Sequence, residues 1–172
     1  MKHDVTRAKT IAEVFDLAAK NGKSEFQISG RKKVITEFVM NNIVKIVPLK
    51  KDDVVLDIGF GNGALFQKIH DKVKILYGID FENIVKRFKE KFKKYNNVII
   101  KKGCSTKLSF KKEFFDVIII NSVMHYLSNK TRGRETVSEI CRVLKKKVTH
   151  TLEKFPLLMK EKSEESQILL KS

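Results

Sequence analysis

At 172 residues the chain has room for one domain with a real core. It has no apolar run long enough to span a bilayer, and its polar start, MKHDVTRAKT, lacks the apolar core of a secretory leader. Two distant cysteines, Cys104 and Cys141, argue against a disulfide framework or a thiol-based zinc site, while a formal net charge of +16 leaves nucleic acid or an anionic surface to be weighed.

In chain order, TIAEVFDLAAKNG carries Ile11, Val14, Phe15 and Ala18 on one face and stops at Gly22, as an amphipathic helix does. SGRKKVITEFVMNNIVKIVP starts at a capping residue, Ser29, and Pro48 closes it. Its expected buried side is Ile35, Phe38, Val39 and Ile46. These two helices, residues 1–50, are expected to form an N-terminal cap. It serves either as a lid over a ligand or as plain packing on a sheet face.

From Lys51 the texture changes. DVVLDIG is a short β-branched run, followed by a glycine-rich loop and by NGALFQKIH, with Leu65, Phe66 and Ile69 at helical spacing. VKILYGID is a second apolar run, NVII a third and FFDVIIIN a fourth. Between the second and third lies FENIVKRFKEKFKKY, whose Ile84, Phe88 and Phe92 mark a buried stripe. Its lysines are then expected to solvate the outer face rather than read nucleic acid. TRGRETVSEICRVL is a further helix, with Val137, Ile140, Cys141 and Leu144 expected on its buried face. Near the end, VTHTL is expected as a fifth strand with one unpaired edge, and SEESQILLKS as a closing helix with a serine cap.

Apolar runs alternating with helices predict a doubly wound, mostly parallel α/β sheet covered on both faces, over residues 51–172. The loop DIGFGNG then lies at the carboxyl edge of the sheet, where ligands bind in such folds. Gly59, Gly61 and Gly63 permit positive φ and bare backbone N–H groups. The same residues fit a dinucleotide pattern, Gly59-Phe60-Gly61-Asn62-Gly63-Ala64, with Asp80 about 20 residues on. Asp57 argues against a dinucleotide, because a carboxylate beside a pyrophosphate is unfavourable. It suits a ligand that is cationic at that end, as S-adenosylmethionine is.

VVLDIGFGNG resembles the first motif of the class I S-adenosylmethionine-dependent methyltransferases, D-x-G-x-G-x-G, without a gap. Asp80 in LYGID is similar to the family's ribose-binding acid. KKGCSTKLSF resembles the third station, which holds the adenine, although Cys104 stands where an acid is usual. FFDVIIINSVMHYL resembles the fourth strand and the loop that meets the methyl group. The resemblance runs from Val54 to Leu144. It implies a Rossmann-like fold whose last strands are missing here, and S-adenosylmethionine as cofactor. It also implies cofactor contacts from Asp57, Gly59, Phe60, Gly61, Asn62, Gly63, Asp80, Phe81, Cys104, Ser105, Asn121 and Ser122.

Methyl transfer requires two reactants held in line and no fixed triad. For an oxygen nucleophile the general-base candidate is His125, set against a packing or capping role for the same residue. No metal-ligand spacing occurs, so no metal is expected. The expected acceptor is a small molecule, a sugar or another metabolite. EKFPL is similar to the G-(D/E)-I-P of some sugar-directed methyltransferases. The alternatives are a nucleoside-binding protein without turnover and a nicotinamide-dependent oxidoreductase. No specific nucleic acid and no membrane partner are expected. A cytoplasmic monomer is favoured over a dimer formed through the unpaired edge.

Overall fold

The structure, a computed structural model, describes residues 33–127, 130–146 and 167–171; the side chains of His125 and of 167–171 lie outside that description. The elements in chain order are α1 (Lys33–Ile46), β1 (Val54–Ile58), α2 (Phe66–Ile69) and β2 (Ile75–Asp80). They are followed by α3 (Glu82–Phe92), β3 (Val98–Lys102), β4 (Val117–Asn121), α4 (Lys130–Val143) and β5 (Gln167–Lys171). The sheet order is β3-β2-β1-β4-β5, with parallel pairing from β3 through β4. Four short β-branched runs, each too short to be a buried helix, take this arrangement because helices cover both faces.

Strand alternation divides the core in two. Val55, Leu76, Val117 and Ile119 face one hydrophobic cluster together with α1, α2 and α3. Leu56, Ile58, Ile79, Ile118 and Ile120 face the other, with Ile140 and Val143 of α4. The first cluster is aromatic at its centre. Phe92 is 5.0 Å from Phe66 and 6.3 Å from each of Phe60, Phe88 and Tyr95, ring centre to ring centre. Ile84, Phe88 and Phe92 are all buried, as their spacing predicts, and so are Leu65, Phe66 and Ile69.

Two helical faces differ from expectation. On α1 the buried residues are Thr36, Val39, Met40 and Ile43, while Ile35, Phe38 and Ile46 are exposed. The true stripe runs i, i+3, i+4, i+7 from Thr36 and continues to Val47. A polar residue opens it, which hides it from a search for apolar residues. On α4 the buried residues are Thr136, Ile140 and Val143; Val137 and Cys141 are exposed, and Leu144 packs partly against the second cluster. Thr136 wins the buried place because its hydroxyl is bonded to that of Ser105, at 3.0 Å. Side chains of α1 pack against the sheet face in the first cluster. The helix expected near Ile11 lies outside the described residues.

The last element is also a correction. Gln167–Lys171 lies in the stretch read as a closing helix, yet it is a strand, antiparallel to β4 with Ile118 opposite Leu170. QILLK is an apolar run as short as those of the core strands. The outer edge of β4 is therefore paired by this strand. The edges of the described sheet are β3, whose Lys101 and Lys102 are exposed, and β5. VTHTL and EKFPL lie outside the described residues.

At the amino edge of the sheet one carboxylate ties three elements. Asp116 accepts the N–H of Val54 at 2.9 Å and is held by Lys145 Nζ at 2.8 and 2.9 Å. Lys145 is thus a structural cation.

Replacing Phe92 with Ala removes the centre of the aromatic cluster. A loss of about 3–5 kcal/mol is expected, which lowers the melting temperature by about 6–20 °C. Thermal unfolding followed by circular dichroism checks this; a loss under about 1 kcal/mol would show that the cluster does not carry the core.

Candidate functional site

The period of the strand fixes which side chains meet. Val55 and Asp57 share one face of β1; Leu76, Gly78 and Asp80 share that face of β2; Val117, Ile119 and Asn121 share it on β4. Asp57 pairs across to Gly78 and to Ile119, so Asp80 and Asn121 stand diagonally beside it at the strands' carboxyl ends. Three polar residues, distant in sequence, form one row at one edge.

The glycine loop closes over this row. Gly59 N–H donates to the Ile79 carbonyl at 2.8 Å, and Gly63 N–H to the Phe60 carbonyl at 2.8 Å. Gly61 has φ +55° and open space where a Cβ would be, so a ligand can approach its backbone. Gly63 has φ +67°, and a Cβ there would stand 2.0 Å from the Phe92 ring. The loop thus needs glycine both for its turn and for its seat on the aromatic cluster. Phe60 is buried in that cluster and Asn62 bonds Ala64 N–H at 3.0 Å, so these two side chains hold the loop. What they leave for a ligand is backbone.

Asp80 secures the loop from below. One carboxylate oxygen accepts Gly61 N–H at 2.8 Å and the other accepts Phe81 N–H at 2.7 Å. Each oxygen keeps a lone pair for a hydroxyl donor. Phe81 follows, with its ring partly exposed.

Asp57 is different. It is 4% exposed, and among the described residues no cation pairs with it. Burial, followed by the charge of Asp80, raises its pKa to about 8. Burial also raises Asp80, to about 6, against the lowering effect of its two backbone bonds. The amino edge has Lys145 for Asp116; the carboxyl edge leaves two carboxylates together. Such a pair favours a cationic ligand and disfavours a phosphate.

The remaining predicted residues surround the same edge. Ser122, just past β4, has φ +57°, a left-handed conformation that costs a non-glycine residue about 1–2 kcal/mol. Val123 beyond it reaches Gly59: a Cβ on that glycine would be 2.3 Å from Val123 Cγ2. His125 lies in the 3₁₀ turn Met124–Tyr126 at this edge. Cys104 is exposed; its Sγ is 3.2 Å from Thr106 Oγ1 and 3.9 Å from Arg132 Nη2. Burial raises the thiol's pKa, but Thr106 and Arg132 outweigh that and leave it lowered. Ser105 is buried and its hydroxyl meets Thr136, so its backbone is the part left for a ligand. Among the described residues no group of three His, Cys, Asp or Glu side chains is placed to hold a metal. Nor is any described helix long and apolar enough to cross a membrane.

Sequence reasoning missed Val123, Thr136, Glu139 and Arg142. The last three recur every three residues along α4, a spacing visible in the sequence, but their partners lie about thirty residues away.

A family model described as a methyltransferase domain matches residues 56–151. A ribosomal RNA small subunit methyltransferase A from Persephonella marina is 33% identical over 90 residues, 51% of this chain and 31% of that protein. A protein-L-isoaspartate O-methyltransferase from Petrotoga mobilis is 32% identical over 89 residues, 49% of this chain and 42% of that protein. The chain spans less than half the length of these relatives. The crystal structure of the YcgJ protein from Bacillus subtilis matches with a TM-score of 0.58 at 27% identity, covering 63% of this chain and 47% of that one.

The raised carboxylates have a consequence for stability. Asp57 keeps its proton in the folded state up to about pH 8, whereas the unfolded chain releases it near pH 4. The unfolded state therefore binds fewer protons between those values, and stability falls as pH rises from about 4 to about 8. Asp57→Asn is expected to remove most of that decline and to melt higher than the wild type at pH 8. Melting curves at pH 5, 6.5 and 8 check this; a parallel decline in both proteins would show that Asp57 carries no such burden.

Proposed function

We propose that this chain, which belongs to the class I S-adenosylmethionine-dependent methyltransferase family, binds S-adenosylmethionine at the carboxyl edge of β1, β2 and β4 and methylates a small molecule. The family's cofactor is S-adenosylmethionine. The observation that carries the site assignment is the uncompensated carboxylate pair under a three-glycine turn. A ligand with an ammonium and a sulfonium and without phosphate matches it, and a dinucleotide does not.

When bound, that group supplies a methyl already activated on sulfur. The residues divide the rest of the task. Asp57 ionises toward the ammonium end. Asp80 accepts from the ribose hydroxyls with the lone pairs that Gly61 and Phe81 leave free. Phe81, partly exposed just past Asp80, lies beside the purine, and the backbone at Cys104 and Ser105 meets the purine's edge. Asn121 and Ser122 line the methionine end. His125, in the turn past β4, takes the acceptor's proton where the nucleophile is oxygen. Asn121, Ser122 and Tyr126 bring polar groups to the end of β4 and the turn after it, which suits a small polar acceptor. The two free thiols fit a reducing, cytoplasmic setting.

One observation favours a second reading, a polyanionic acceptor. Residues 82–112, around the free edge of β3, hold eleven Lys or Arg against two Glu. Many of these cations are engaged within the fold. Lys86 and Lys102 pair with Glu82, Lys93 pairs with Glu90, and Lys91, Lys94, Lys101 and Lys111 lie over aromatic rings. The charge is accordingly expected to give polyanion binding at low salt that is lost near physiological salt. Sequence-specific RNA binding that persisted there would move the acceptor to nucleic acid.

Calorimetry with S-adenosylhomocysteine and, separately, NAD tests the leading reading. Only the first is expected to bind, and Asp80→Ala is expected to weaken it about tenfold or more, the value of a charge-assisted bond. Binding of NAD alone would sink the proposal.

A further inference from the structure

The segment from Cys104 to Phe110 follows β3 and carries almost no regular structure of its own, apart from an isolated bridge between Cys104 and Lys107. Its shape must therefore come from a neighbour. That neighbour is one face of α4. Ser105 Oγ meets Thr136 Oγ1, both residues being buried. Leu108 N–H donates to Glu139 Oε2 at 2.6 Å. Arg142 donates to the Leu108 carbonyl and to the Phe110 carbonyl, each at 2.8 Å. The same guanidinium grips Glu139, with Nε to Oε1 at 2.6 Å and Nη2 to Oε2 at 2.9 Å. Glu139 and Arg142 thus act as one planar unit that satisfies an N–H and two carbonyls of the segment. A lysine, with a single point of charge, cannot reproduce that fork.

The unit is rigidly backed. Ile140 and Val143, on the same helix, are fully buried in the second cluster, and Leu108 is buried there from the segment's side. At its start the segment is also joined to the site. Gly103 N–H donates to the Asp80 carbonyl at 3.1 Å, so Cys104 is one residue from the backbone of the ribose-binding acid. Movement of the segment would shift the surface facing the purine relative to that acid.

We propose that Glu139 and Arg142 are positioning residues for the cofactor: by shaping the 104–110 segment they set how well the site tells adenine from other purines. The inference rests on the cofactor reading above and deepens it. Neither residue touches the ligand. Their effect runs through the backbone of Cys104 and Ser105, where the usual acid is missing and backbone groups must read the adenine edge.

The test compares S-adenosylhomocysteine with S-inosylhomocysteine, which has a 6-oxo group and an N1–H where adenine has a 6-amino group and a bare N1, by calorimetry on the full chain. The wild type is expected to prefer the adenine form about tenfold or more. Arg142→Ala is expected to lose most of that preference, chiefly by weaker binding of S-adenosylhomocysteine, and Arg142→Lys is expected not to restore it. Glu139→Gln keeps the shape of the side chain and is expected to lose part of the preference even if Arg142→Ala folds poorly. Val137→Ala, exposed on the same helix, is expected to leave both affinities unchanged. Equal weakening of both ligands in Arg142→Ala and Glu139→Gln would overturn the inference and reduce the pair to a fold support. So would unchanged binding in both variants. A wild type that binds neither ligand would instead overturn the cofactor reading, and this inference with it.

Discussion

The hydrogen bond from Gly61 N–H to the Asp80 carboxylate is the contact on which the candidate site depends. It joins the end of the second strand to the loop after the first. It therefore fixes the loop's height above the sheet and draws a negative charge beneath it. A carboxylate is needed there because it can accept from Gly61 and Phe81 and still offer lone pairs outward. A second carboxylate, Asp57, is buried close by, with no cation paired to it among the described residues. At the opposite edge Lys145 pairs with Asp116. The two edges of one sheet thus differ: at one a carboxylate is held by a lysine, at the other burial holds a carboxyl group protonated up to about pH 8.

The aromatic cluster makes that unfavourable edge possible. Phe92 seats Gly63 and packs on Phe60 and Phe66, so the loop carrying the backbone donors is anchored in the core. Val123 meets Gly59 from the other side and links the loop to the strained backbone at Ser122. The loop is held between two strand ends, and α4 holds the next segment round the edge through Thr136, Glu139 and Arg142. The glycine loop and the 104–110 segment are in this way held by the elements beside them. Pre-organisation of this kind lets a site bind without first ordering itself.

The likeness to methyltransferases covers the half of the chain that holds these features, and the relatives compared act on RNA and on protein. A shared cofactor fold does not name an acceptor, because the cofactor site sits on the sheet and the acceptor site on what covers it. The internally engaged lysines are a feature of this chain itself that bears on the choice.

Local spacing alone determined a good deal. Short apolar runs in DVVLDIG, VKILYGID, NVII and FFDVIIIN placed the parallel strands. Three glycines after an acid marked the loop, and the i, i+4 phenylalanines marked α3 as a core helix. These signals are short-range, and burial acts on them directly. Other features were decided only by tertiary structure. The buried face of α1 begins at Thr36 and that of α4 at Thr136, a hydroxyl that is tolerable inside only because Ser105 meets it. QILLK became a strand and not a helix because the edge of β4 offered it a row of backbone partners. Lys145 stands in a run of three lysines that sequence alone does not distinguish, and its pairing with Asp116 depended on a partner 29 residues away that local spacing does not record.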